Sequence, residues 1–327
     1  SFVRALYYFR PADNQPDVNL IDMAMRKEIR DFASVVRTGM YIKNFETFDI
    51  RGDSFVMGAV IWFDFLTSEV TLNTVRNFSF INGKILEKSE GDVQVSGPRM
   101  LVRFDVRVDF KSQLNYYRYP FDDHRISLVM TNNSVTPSEM YFTVINNSFT
   151  VSPDIYTANW QILGLDTAWG YSSLNLDPND VSKKMLRPVV AYSINFVKSS
   201  LRNVLIIFIP LSISMLLGLL TFFLGLLDFQ GRAAMVASAL MANLSYRFTI
   251  DNMMPRAIGY LTTTDLLYML YLLILIVVFI FQAWLSTYTV GKEVDPSTAT
   301  RLQRVNDILY LCCVSVFVTY VTYVLLW

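Results

Sequence analysis

The sequence predicts an antiparallel β-sandwich followed by an all-α membrane bundle of four helices, and three observations predict it. Of the 28 basic and 28 acidic side chains in the 327 residues, only 13 lie from Leu201 onward. Within that charge-poor part the uncharged runs Asn203 to Leu227, Leu266 to Gly291 and Ile308 to Trp327 are each about long enough to cross a hydrocarbon core of roughly 30 Å. Ahead of it, apolar and polar residues alternate with the period of two that gives a strand one dry and one wet face. A boundary near residue 200 follows, with residues 1–200 as one domain and 201–327 as the other. The spans exclude a soluble enzyme. The net charge is zero, and the first 200 residues carry 21 Lys and Arg against 22 Asp and Glu, so nucleic acid is not an expected partner.

The chain opens with a helical pattern. Ile21, Met25, Ile29 and Phe32 recur at helical spacing within Val18 to Val36, and Gly39 is placed to close the helix. Then the period changes. From Val102 to Lys111 the alternation is unbroken, with Val102, Phe104, Val106, Val108 and Phe110 on one face and Arg103, Asp105, Arg107, Asp109 and Lys111 on the other. Comparable runs are Met40 to Phe48, Phe55 to Leu66, His124 to Met130, Met140 to Ile145, Trp160 to Trp169 and Val189 to Lys198. Turn-forming Gly, Asn, Ser and Pro separate them, which indicates a sandwich. The first 200 residues hold no cysteine, so no disulfide framework is expected there; Cys312 and Cys313 are adjacent within the last apolar run and read as membrane packing. An extracytoplasmic sandwich would require a secretory leader, expected to have been removed or left out ahead of Ser1.

The second span differs from the other three. Its uncharged stretch, Ala233 to Tyr246, is short and stops at Arg247. On a helix Ala234, Ser238, Met241, Ser245, Thr249 and Asn252 form a mostly polar stripe of small residues. Such a stripe gains nothing in lipid. Several copies packed around a water-filled axis would explain it, and so would hydroxyls that bond back to their own helix or glue neighbouring helices. Positive charge does not orient the bundle, because Lys and Arg flank both sides about equally. Four crossings put the sandwich and the C-terminus in one compartment, expected to be extracytoplasmic, at the cell (inner) membrane.

Several fragments now resemble one family. The segment Asn115-Tyr116-Tyr117-Arg118-Tyr119-Pro120-Phe121-Asp122-Asp123-His124 is similar to the aromatic-Pro-Phe-Asp loop of pentameric ligand-gated ion channels. Where animal members flank that loop with cysteines, Ser112 and Ile126 stand here, as in bacterial members. Trp62-Phe63-Asp64 resembles the family's Trp-x-Asp strand, Phe78-Ser79-Phe80-Ile81-Asn82 its first ligand-binding loop, and Asn252-Met253-Met254-Pro255-Arg256 the turn after its pore helix. Pro210 falls inside the first span as the family's proline does, and the linker from Tyr288 to Thr300 is short, as in prokaryotic channels.

The resemblance implies an extracellular ligand-binding sandwich in residues 1–200, a four-helix channel domain in 201–327, and a homopentameric ring in the lipid bilayer. Its pore, permeated by inorganic ions, would be lined by Ala234, Ser238, Met241, Ser245, Phe248 or Thr249, and Asn252, with Met241 as hydrophobic gate. The acidic ring of many cation-selective relatives is missing from Phe229-Gln230-Gly231-Arg232, where Arg232 is read as anchoring its helix to a neighbour or to the membrane interface. Asp251 at the outer mouth favours cations, and anions stay open. Coupling between the halves would run through Tyr119, Pro120, Phe121, Asp122, Lys198 and Pro255, with Asp122 and Lys198 as an ion pair.

For the opening signal two routes stand. The resemblance places a small-molecule agonist among Phe78, Phe80, Trp169 and Tyr171, but Thr131-Asn132-Asn133-Ser134 lacks the aromatic of the middle loop, which argues against an amine. Protons are the other route. His124, the single histidine, titrates near neutral pH when unperturbed; the plain alternative is a structural histidine. No cofactor or metal is expected. The motifs of hydrolases, zinc peptidases and phosphate-binding enzymes are absent from the sequence. A non-conducting membrane receptor with a ligand-binding sandwich is the remaining alternative.

Overall fold

The computed structural model describes residues 18–20, 33–50, 52–121, 123–157, 160–177, 180, 183–198, 201–254, 259–291 and 295–326. They fall into two compact units. One takes the described residues up to Asn115 and from Asp123 to Lys198; the other takes those from Leu201 onward together with the segment that begins at Tyr116.

The first unit is a β-sandwich. Its elements are β1 Asn19–Leu20, β2 Ser34–Asp49, β3 Ser54–Leu66, the short helix α1 Leu72–Arg76, β4 Phe78–Phe80, β5 Gly83–Lys88, β6 Asp92–Ser96, β7 Arg99–Lys111, β8 His124–Asn132, β9 Met140–Val151, β10 Trp160–Asn175 and β11 Lys184–Lys198. One sheet runs β1-β10-β11-β8-β4 and the other β5-β7-β3-β2-β9, with β6 also on β7. The alternation read in β7 becomes its burial: Val102, Phe104, Val106, Val108 and Phe110 lie inside, opposite Phe63, Ile61, Ala59, Met57 and Phe55 of β3. The wet face of β7 carries cross-strand ion pairs, Arg103 to Asp92 at 3.3 Å and Arg107 to Glu46 at 2.7 Å, each worth little by itself. Deep in the core the Thr38 and Tyr192 hydroxyls, 3.2 Å apart, join the two sheets.

Two expectations need correction. The predicted opening helix does not hold at its described ends, since Asn19–Leu20 pairs with β10 and β2 begins at Ser34; Ile21, Met25, Ile29 and Phe32 lie outside the described residues. Gly39 is no helix stop but sits mid-strand opposite Trp62, where a Cβ would come within 2.3 Å of the indole ring. The sandwich is also not antiparallel throughout. β9 crosses over from the other sheet and joins the free edge of β2 parallel to it; with no hairpin between them, neither direction is imposed.

The second unit is helical: α2 Leu201–Leu220 with a 3-10 turn at Thr221–Phe223, α3 Phe229–Met253, α4 Thr263–Thr289 and α5 Pro296–Leu326. Among the described residues three helices are long and apolar enough to span a membrane, over Val204–Phe223, Thr263–Thr289 and Pro296–Tyr323. The first span ends earlier than its uncharged run because Asp228 begins a new helix as N-cap, its carboxylate accepting from the Gly231 N–H at 3.0 Å. The last begins a dozen residues before Ile308, with Pro296 in the first turn, where its missing N–H costs nothing. α2 and α4 approach closely at Gly218, where a Cβ would meet Leu275 at 2.2 Å. α5 is peripheral, with 11% of its apolar stretch buried against 44% for α4.

Candidate functional site

Helix α3 has two faces. Arg232, Val236, Ala239, Asn243 and Ile250 are buried among the other helices. Ala234, Ser238, Met241, Ser245, Phe248 and Asn252 are exposed, and Thr249 is half-exposed. At about 100° per residue the two sets are centred about 180° apart, so packing leaves the sequence-predicted stripe uncovered. Met241 is 63% and Phe248 73% exposed, large apolar side chains on a helix that also carries Arg232, Arg247, Asp251 and Asn252. α3 is the one described helix of this unit that is not apolar enough to cross a membrane by itself.

Each end of α3 is fixed by a guanidinium. Near its start, the fully buried Arg232 donates through Nε to Gln282 Oε1 of α4 at 2.8 Å, through Nη1 to the Leu224 carbonyl at 3.2 Å, and through Nη2 to Asn306 Oδ1 of α5. Asn306 in turn donates to the Phe222 carbonyl at 3.2 Å. Of the two anchors the sequence left open for Arg232, the hydrogen bonds show the neighbouring helices. Near the other end, Arg247 pairs with Asp251 at 2.9 Å and with Asp265 of α4, while its guanidinium lies 5.3 Å from the Tyr268 ring. Asp265 also closes a capping box with Thr262, which starts α4. One guanidinium faces two carboxylates, and Asp251 remains half-exposed, so this cluster carries a net charge of about −1.

The aromatic-Pro-Phe loop docks on these helices. The Tyr117 carbonyl accepts from the backbone N–H and the hydroxyl of Thr263, both at 2.9 Å, and the Tyr119 carbonyl accepts from the Thr264 hydroxyl at 2.8 Å. Loop carbonyls therefore meet donors at the start of α4 that the helix leaves unpaired. The Tyr119 hydroxyl donates to the Met253 carbonyl at the end of α3 at 3.2 Å, and the Tyr116 N–H donates to the Tyr260 hydroxyl at 2.7 Å. Phe121 packs on Phe208 of α2 with ring centroids 5.5 Å apart, and Pro120 is buried beside it. Asp122 and Pro255 lie outside the described residues, as does the side chain of Lys198, so the expected Asp122 and Lys198 pair falls there too.

The aromatics expected around an agonist separate into two groups. Phe78 and Phe80 are buried in the core on β4, with Phe78 packed against Phe63 and Phe104. The Phe78 ring already has a cation: Lys88 Nζ stands 3.8 Å from its centroid and donates to the Arg76 carbonyl. Burial, with a smaller contribution from Arg76, pushes the Lys88 ammonium down from 10.5 to about 8. Trp169 and Tyr171 lie on β10, where Trp169 stacks on Tyr141 at 6.2 Å. Two strands stand between β4 and β10, roughly 14 Å of sheet. His124 is fully buried against Trp160, ring centroids 5.1 Å apart.

Three features escaped the sequence reading. The Thr262 to Asp265 box was legible as Thr followed three residues later by an acid ahead of an apolar run. Lys88 over Phe78 and the Gln282 and Asn306 partners of Arg232 come from distant segments and leave no local signal. No protein-family model matches the chain, and no curated protein matches it.

Proposed function

We propose that this chain is one protomer of a homopentameric ion channel in a cell membrane, gated by a small molecule or by protons, with α3 lining the pore in a four-helix transmembrane bundle. One observation carries this reading. The helix too polar to face lipid turns its small and hydroxyl-bearing residues away from the other three, leaving them for water or for copies of themselves. Around a five-fold axis Ser238 and Ser245 become hydroxyl rings and Met241 a thioether ring able to exclude water from a narrow pore. The Arg247, Asp251 and Asp265 cluster, repeated five times, gives its mouth a net negative field, which supports cation selectivity. The loop hydrogen-bonded to α4 and to the end of α3 is the route by which the sandwich would act on that helix.

Purified protein in planar bilayers under asymmetric salt, challenged with pH steps and a panel of small molecules, tests the proposal. Currents with a cation reversal potential are expected. Silence in every condition, together with a particle mass other than about five times the 37.6 kDa protomer, would leave the non-conducting receptor as the better account.

A further inference from the structure

A proline within a helix lacks the N–H that would bond the carbonyl four residues back. Pro210 inside α2 therefore frees the carbonyl of Ile206. In a hydrocarbon setting no water takes the place of the missing donor, so the oxygen needs a partner from the protein. It has one on α3: the Tyr246 hydroxyl donates to the Ile206 carbonyl. By helical angle Tyr246 lies about 40° from the centre of the packed face, turned away from the exposed stripe. The next residue, Arg247, reaches α4 through Asp265. Adjacent side chains thus hold α3 to both neighbours at one level.

We propose that Tyr246 is a positioning residue, and that its bond to the proline-freed carbonyl sets the rotation of α3 about its own axis. This deepens the channel reading and rests on it. A hydroxyl roughly 8 Å from the helix axis moves roughly 3 Å when the helix turns by roughly 20°, enough to break a hydrogen bond. The bond thus distinguishes one rotation of the stripe from its neighbours, and breaking it is a step that a gating movement of α3 would have to include.

The test is a cycle of Tyr246→Phe, Pro210→Ala and the double variant in the full-length protein. Cysteines introduced one at a time at Ser238, Ala242, Leu244 or Ser245, in a background in which Cys312 and Cys313 are replaced by Ala, report which side of α3 meets a water-soluble thiol reagent. Tyr246→Phe is expected to change the ratio of labelling at Ser245→Cys to that at Leu244→Cys by about fivefold, the equivalent of one hydrogen bond, and to shift the activation midpoint in the same proportion. Pro210→Ala restores a backbone donor to Ile206, so in that background Tyr246→Phe is expected to change nothing further; Pro210→Leu serves if Pro210→Ala does not assemble. Equal effects of Tyr246→Phe in both backgrounds overturn the proposal. So does a lowered thermal midpoint with unmoved labelling, which would reduce Tyr246 to packing. If no variant and no wild-type sample conducts, the channel reading fails, while the labelling pattern still decides whether the bond sets the rotation.

Discussion

Lys88 illustrates how one residue can carry a measurable pH signature. Its folded ammonium titrates near 8 because burial disfavours the charge, whereas the unfolded chain keeps the ordinary 10.5. Between those values the unfolded state binds a proton that the folded state has lost, so stability rises with pH across that window, and below about 8 the full cost of holding the charge is present. Thermal midpoints measured from pH 7 to 10.5 should rise for the wild type relative to Lys88→Met; parallel curves would show that the amine is not held as described. Arg232 makes the opposite case, since its charge is matched by three acceptors. Arg232→Met leaves Gln282, Asn306 and the Leu224 carbonyl without that donor. It should lower stability by about 3 kcal/mol, read from thermal unfolding in detergent. An unchanged midpoint would mean that these acceptors find other donors.

At the scale of elements, legibility follows the range of the physics. The two faces of β7 were readable from Val102 to Lys111 because a wet face and a dry face impose a period of two within one strand, although the strand itself begins at Arg99. The stripe on α3 was readable because helical geometry alone collects Ser238, Met241 and Ser245, and packing left that face open. The ends of α3 were not, because charge was taken to stop a span, while Arg232 is hydrogen-bonded by neutral amides on α4 and α5 and Arg247 is paired with a carboxylate on α4, partners 18 to 74 residues away. The opening pattern misled for a similar reason: Ser34 to Val36 fell at the end of the stretch read as helix, yet they pair with β9, more than 100 residues later. If the thioether of Met241 keeps α3 dry at its middle, Met241→Ser should raise resting conductance by roughly tenfold, about 1.4 kcal/mol off the barrier. Resting currents in bilayers would register it, and an unaltered leak would move the barrier elsewhere.

For the whole molecule, repetition multiplies small local charges. Asp251→Asn takes the cluster with Arg247 and Asp265 from about −1 to neutral in every copy. The reversal potential under a tenfold salt gradient should move toward zero, and an unmoved value would mean that selectivity is set at another level of the pore. The order in which the chain is made bears on the molecule in another way. Tyr117 and Tyr119 meet their hydrogen-bond donors 146 and 145 residues later in sequence. At a synthesis rate of roughly 5–20 residues per second they wait roughly 7–30 s for Thr263 and Thr264 to emerge. Throughout that interval the loop of a half-made chain waits without its landing place on α4, and a ribosome pausing before residue 263 would prolong the wait.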